Sequence, residues 1–442
     1  MDTRGGRRAA GGQSPMGAAA LTVISVVALV LIAAAAPVGF RSGWGFAAAS
    51  PGLYRDTLGW FPAMRFENAA SFAWAFRSVL LLAWASWVLM IAACLRSTSL
   101  PTVRKSALVF SGAAVVIALA MLAPPIFSTD AFAYTGWGRL MWAHGLNPYL
   151  HGGPSLAATG DPAAQFLGWP PTLPYGPAWA LMARAFGPIG NGIGGLFGEL
   201  IVHKLLAAAG LLATAFGAAR IAETYRAGTG TLTWLAIVFN PLLLCEGPIA
   251  GHNDFVALAL LTWAAALMTA SRSAAGDLLL GVAVAVKLTA IGALPLVMIQ
   301  RWRQGGVRAA ALTLVLGVAP ILVLSLAFGG IGTVFASIAG RLNAGGMPAA
   351  PVLRAIILLA ALLWGLRLTW REPVGSASAW LEGWIPVSLA FVLTTTNMPF
   401  PWYFAWPLVP VLTQWNERHG IAVAATSTLA IVSAWFYATP LP

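Results

Sequence analysis

Apolar runs of roughly 20 residues, the length a helix needs to cross about 30 Å of hydrocarbon, recur along this chain from residue 16 to the C-terminus. The alternation expected of half-buried strands is absent. The runs predict helical spans at 16–38, 74–95, 106–126, 197–221, 232–249, 255–271, 309–329, 351–370, 379–396, 403–415 and 420–437. Only helices or closed barrels satisfy every backbone group inside a bilayer. The pattern therefore predicts an all-α, polytopic membrane protein of about 11–13 spans.

Residues 277–300, DLLLGVAVAVKLTAIGALPLVMIQ, could cross once. A single crossing, however, would place RWRQGGVR outside and invert the charge bias of every later loop. Two short half-helices broken around Lys287 remove the conflict. With that break, RGGRR, RSTSLPTVRK, ARIAETYR, SRS, RWRQGGVR, LTWRE and NERHG share one side, which the positive-inside rule makes cytoplasmic. Segments 39–73, 127–196 and 397–402 then face outward. Residues 1–15 read as a cytoplasmic tail and 16–442 as one membrane domain, with 127–196 its main extracytoplasmic loop. The first apolar stretch, Met16 to Gly39, is longer than a typical signal-peptide core and reads as a retained span. No repeat period suggests an inverted-repeat transporter.

Composition sharpens this picture. The 442 residues are 59% hydrophobic and 9% charged, against about 25% charged in a soluble domain, and mean hydropathy is +0.80. The net charge of +12 does not point to nucleic acid, because the arginines form short clusters between apolar runs and build no patch with interleaved aromatics. Cys94 and Cys245 lie in or beside separate apolar segments, which gives no support to a disulfide framework or a cysteine metal site.

Against this background the few polar residues within apolar surroundings carry the chemistry. Segment 127–196 is far longer than the roughly 2–8 residues usual between packed helices, and its composition predicts order. Ser128, Thr129 and Asp130 are good N-caps, and Gly145 with Asn147-Pro148 is a stop, so a short surface helix starts at Asp130. Tyr134, Trp137 and Met141 share its face with Asp130, while Arg139 projects from roughly the opposite side. Pro177 predicts a second short helix after GWPPTLPYGP. His252, Asn253 and Asp254 in GHND stand at a helix start, where the alternatives are a cap and hydrogen bonding to a phosphate or sugar. Their spacing matches no common metal-chelating set. Lys287 lies within an apolar segment, a functional signal by default, with snorkelling as its rival.

Taken together, STDAFAYTGWGR with GLNPY, PYGPAW at 174–179, GHND after FNPLLLCEGP, and VKLTAIGALPL around Lys287 resemble a known family. They are similar to the C-type-fold integral-membrane glycosyltransferases that use polyprenyl-phosphate sugars, most closely the bacterial polyprenol-phosphomannose-dependent alpha-1,6-mannosyltransferases. The blocks cover the middle of the chain in the expected order, with further support from NMPFPWYFAWP at 397–407. One departure is that the acidic block follows the third predicted span rather than the first.

The resemblance implies a bacterial inner-membrane enzyme with a GT-C-like fold and an outward-facing site. Asp130 maps onto the catalytic base of the first large extracytoplasmic loop. The implied reaction is inverting transfer of a hexose, mannose by family, from a polyprenyl-phosphate donor to a lipid-linked glycan acceptor, with membrane lipids as the remaining partners and no cofactor or metal. His252, Asn253, Asp254, Lys287, Arg139 and Arg341 are the candidates for holding the donor phosphate or sugar, and Tyr134, Trp137, Tyr175 and Trp402 for shaping the loop or the acceptor site. Asp254 and Glu246 are the other acids that this topology brings outward. A lipid transporter or flippase, and a non-catalytic assembly subunit, are the rival classes.

Overall fold

The computed structural model describes residues 15–35, 69–96, 103–125, 128–167, 172–343, 350–373, 376, 379–394, 400–413, 423, 426–432 and 434–435. Residues 1–14 of the expected cytoplasmic tail, most of the outward segment 39–73, the NERHG loop, part of the predicted last span and part of the GWPPTLPYGP turn lie outside them. No strand occurs among the described residues.

The helices are α1 (Pro15–Ala34), α2 (Ala69–Arg96), α3 (Val103–Leu122), α4 (Asp130–Trp142), α5 (Gly153–Ala158), α6 (Pro177–Tyr225), α7 (Gly230–Val238), α8 (Pro241–Leu244) and α9 (Asp254–Thr269). They continue as α10 (Ser273–Val286), α11 (Leu294–Ser325), α12 (Ile331–Asn343), α13 (Ala350–Arg371), α14 (Ala379–Thr394) and α15 (Ala405–Leu412). Five stretches are long and apolar enough to cross a membrane: Gly17–Ala34, Ala70–Leu95, Pro177–Tyr225, Leu288–Phe328 and Pro351–Arg371. Gly230–Val238 with Pro241–Ile249 forms a sixth, bent by 54°. Ser111–Leu122, Asp254–Thr269, Ser273–Val286 and Ala379–Thr394 are shorter apolar helices. The protein is an all-α polytopic membrane protein.

Two of these long helices fold back on themselves. In a straight helix, residues 24 apart are separated by about 36 Å, yet the rings of Trp179 and His203 in α6 lie 5.9 Å apart. The reversal occurs at Gly194 and Gly195, the latter with φ +59°, a backbone region that glycine enters without steric cost. The predicted helix at Pro177 and the predicted span 197–221 are thus two arms of one hairpin. Helix α11 reverses in the same way at Gly306, with φ +71°.

The break at Lys287 is present. Helix α10 ends at Val286, and Lys287 is extended, with φ −144° and ψ 117°. Asp277, near the start of α10, accepts from Thr313 Oγ1 at 3.1 Å and lies 3.7 Å from Arg301 Nε. The beginning of α10, the end of the first arm of α11 and the start of its second arm therefore meet at one end. The chain enters, turns near Lys287 and returns, so RWRQGGVR lies at the same end as Ser271–Ser273.

Helix α4 is positioned by close packing. The Ser128 hydroxyl accepts from the Asp130 amide at 3.1 Å, so the capping role falls to Ser128, and the Thr129 side chain makes no cap bond. At the far end Gly145, with φ +65°, lets the Leu146 amide reach back to the Leu140 carbonyl at 2.7 Å, a C-terminal stop of the expected kind. The helix was expected to lie on a surface. Instead most of its residues are buried, because the first arm of α6 comes close enough that a Cβ on Gly138 would stand 3.1 Å from the Ala183 carbonyl oxygen.

The second arm of α6 packs on α9 with similar closeness: a Cβ on Gly210 would fall 2.7 Å from the Phe255 carbonyl carbon and oxygen. Small residues permit such backbone approach between membrane helices. Gly210→Val is expected to lower the thermal midpoint of the detergent-solubilised protein, at an overpacking cost of about 1–3 kcal/mol. A second expectation concerns topology. Single cysteines at Ser271 and Gln304 should react with an impermeant thiol reagent from the same face of sealed vesicles, and labelling from opposite faces would overturn the re-entrant geometry.

Candidate active site

The separate polar residues of the sequence come together around Asp130. Its carboxylate oxygen Oδ2 accepts from Tyr175 Oη at 2.7 Å and from Tyr134 Oη, one turn along α4, at 3.2 Å. His252 Nδ1 lies 3.2 Å from the same oxygen. Tyr134 Oη in turn accepts from the Asn253 amide at 3.3 Å, which ties the GHND turn to α4. The Asp130 side chain keeps 19% exposure, whereas that of His252 has none.

His252 is held on every side. Its Nε2 lies 3.3 Å from Glu246 Oε2, and its ring stacks on Trp402 at a centroid distance of 4.3 Å and 23°. Trp402 is stacked in turn on Phe400 at 4.5 Å and 13°, so both faces of the Trp402 indole are covered by protein rings. Burial disfavours a charge on His252, yet the hydrogen bonds to Asp130 and Glu246 and their negative charges raise its pKa to about 9.

Lys287 faces the neighbouring pair. Its ammonium donates to Asp254 Oδ2 at 2.5 Å and to Asn253 Oδ1 at 3.4 Å. Trp406 Nε1 donates to the other Asp254 oxygen at 2.6 Å. The ammonium also lies 5.4 Å from the Tyr175 ring centroid and 5.2 Å from that of Tyr403, within cation–π range. Asp254 and Asn253 start α9, but no side-chain cap bond is made there. The Asp254 carboxylate is used on Lys287 and Trp406, not on the helix end.

The structure therefore gathers Asp130, Tyr134, Tyr175, His252, Asn253, Asp254, Lys287 and Trp402 into one cluster. Trp137 is buried at its edge, 6.0 Å from the Tyr175 ring. Arg139 stands apart. Its Nε lies 2.8 Å from Asp161 and its Nη1 2.6 Å from Glu199, and His144 shares Asp161 at 2.8 Å. This guanidinium, expected to meet a phosphate, instead fastens α4 to the 162–166 turn and to the hairpin of α6. The side chain of Arg341 lies outside the described residues. Both His252 nitrogens face carboxylates, Nδ1 within hydrogen-bond distance of Asp130 and Nε2 in ion-pair range of Glu246.

Sequence reasoning missed three polar groups in the second arm of α6. Glu199, His203 and Lys204 are fully buried, and the Lys204 ammonium donates to the Ala123 carbonyl just beyond α3, a favourable place for a cation at a helix end. The signal was available, since Lys204 interrupts an apolar run as Lys287 does. Tyr403 and Trp406 gave no comparable signal, because aromatics are common in any membrane helix. Among the described residues no group of three or more His, Cys, Asp or Glu side chains is arranged to hold a metal ion.

The chain is 30% identical over 353 residues to "Alpha-(1->6)-mannopyranosyltransferase A" of Mycobacterium tuberculosis, an alignment covering 71% of this chain and 66% of that protein. It is 29% identical over 189 residues to the protein of the same name from Corynebacterium glutamicum, covering 40% of this chain and 35% of that one. The chain thus spans less than two thirds of the length of either relative. No solved structure matches it. The family model described as "Alpha-(1->6)-mannopyranosyltransferase, N-terminal domain" matches residues 22–303, a stretch that contains Asp130, Tyr175, Glu246, the GHND turn and Lys287. By this match, the chain belongs to the alpha-(1->6)-mannopyranosyltransferase family.

Proposed function

We propose that the protein is a mannosyltransferase of the bacterial inner membrane, taking mannose from a polyprenyl-phosphate donor and delivering it to a hydroxyl of a lipid-linked glycan at the extracytoplasmic face. The family supports the sugar. The layout supports the donor class, because a polyprenyl chain stays in the bilayer while its sugar phosphate is presented at a polar site beside it.

The observation that carries the mechanism is the contrast in exposure within the cluster. Glu246 and Asp254 are fully buried, while Asp130 keeps 19% of its side chain open and is oriented by Tyr134, Tyr175 and His252. An oriented, accessible carboxylate suits a general base. The acceptor oxygen attacks the anomeric carbon from the side opposite the phosphate, and its proton passes to Asp130. The bond from that carbon to the phosphate oxygen breaks with its electron pair leaving on polyprenyl phosphate, so the configuration inverts. Lys287, supported by Asn253 and Asp254, is the proposed partial counter-charge for that phosphate, with Arg341 the second candidate.

Incubating the purified full chain with radiolabelled polyprenyl phosphomannose and a membrane glycolipid fraction tests the reading. Label is expected to appear in the glycolipid. A folded protein that binds the donor but transfers nothing would overturn the enzymatic reading. Asp130→Asn keeps the size of the side chain and removes its basicity, so turnover is expected to fall by about 100-fold or more, with expression and donor binding near normal. Wild-type turnover in that variant would move the base elsewhere in the cluster.

A further inference from the structure

Glu246 lies on an unusual stretch of backbone. Residues Cys245–Ile249 form a π-helical turn with Pro248 inside it, a widened geometry that recurs at functional sites. The Ala250 amide donates to the Cys245 carbonyl at 2.9 Å, and the His252 amide donates to the Glu246 carbonyl at 3.1 Å. Gly251 follows with φ +79°, turning the chain so that the His252 ring comes back over the residue that holds its own amide. Glu246 and His252 are thereby joined twice, once through the backbone and once through the 3.3 Å approach of Oε2 to Nε2.

The chemistry of that approach is restrictive. An ionised carboxylate only accepts hydrogen bonds, and a neutral imidazole carries one N–H. With Asp130 at 3.2 Å from Nδ1 and Glu246 at 3.3 Å from Nε2, a neutral ring would turn a lone pair toward one of the two anions. With both carboxylates ionised, only the imidazolium satisfies both. We propose that Glu246 is a positioning residue for Asp130, acting through His252: it keeps the ring doubly protonated, so that Nδ1–H orients the Asp130 carboxylate and holds it ionised. This inference rests on the proposed role of Asp130 as base.

The groups facing the ring act together. Asp130 and Glu246 contact its nitrogens, Tyr134 and Tyr175 donate to the Asp130 oxygen it shares, and Trp402 covers one face. Lys204 packs against Gly251, and the Lys287–Asp254 pair begins within two residues of His252. The raised His252 pKa, about 9, agrees with this arrangement. Because the folded value lies above the ordinary one of about 6.5, the stabilisation is fully present below about pH 6.5 and is lost as pH rises through about 9.

The test is the pH dependence of turnover in Glu246→Gln. Turnover is expected to fall on the alkaline side as His252 loses its proton, and in Glu246→Gln this limb is expected to move down by about one unit or more, with donor KM changed less than about twofold. A purely structural role would scale turnover equally at all pH values, and an unmoved limb in a folded variant overturns the proposal. Nitrogen-15 spectra of the histidine-labelled full chain at pH 8, with His252 assigned by its loss in His252→Gln, provide a readout independent of activity and of the folding of Glu246→Gln. Two protonated ring nitrogens support the proposal, and a neutral ring overturns it. Should Asp130→Asn retain full activity, the base assignment fails while these spectra still report the state of the ring.

Discussion

A charge taken out of water must be paired or it destabilises the fold, and this constraint organises the centre of the molecule. Asp130 sits where α4 begins, yet the groups that meet its carboxylate come from that helix, from the turn before α6 and from the turn before α9. None of these segments could keep its polar side chain buried alone. Tyr175 is 45 residues from Asp130 and His252 is 122, so satisfying one carboxylate brings distant parts of the chain to a common point. The second pair, Lys287 with Asp254, does the same for the broken helix and draws in Trp406 from 152 residues away.

The two clusters differ in how their charges are met. Around Arg139, one guanidinium meets two carboxylates and the Trp142 ring, at 5.1 Å from its centroid, and the result ties a helix, a turn and a hairpin together. Around Asp130, three donors converge on a carboxylate that still reaches solvent. The first arrangement uses ionic contacts as fasteners. The second brings three side chains onto one oxygen of a single carboxylate.

Much of this was legible in the sequence, for a definite reason. Apolar runs announce membrane helices by length alone, and a charged residue inside such a run, like Lys287, is too costly to be casual. Asp130 and GHND stood out on the same ground. What escaped was pairing at a distance. That Arg139 would meet Asp161 and Glu199, or that both nitrogens of His252 would face acids, depends on how α6 and the π turn fold, and periodicity carries no such information. The reversal of α11 at Gly306 falls within RWRQGGVR, the loop expected before span 309–329, whereas the hairpin of α6 was hidden because helical character continues on both sides of its reversal. The adjacent glycines at 194–195 and 305–306 were their trace.

One backbone bond joins the two halves of the site. The Gly176 amide donates to the Val286 carbonyl at 3.1 Å, one residue after the phenol that orients Asp130 and one residue before Lys287. A side chain cannot be fitted at Gly176, since its Cβ would fall 2.1 Å from the Ala285 carbonyl oxygen. The backbone beside Tyr175 and the end of α10 are therefore in direct contact. Helices tilt to match the hydrocarbon thickness around them, and this one amide ties the re-entrant arms to the residue whose phenol meets Asp130.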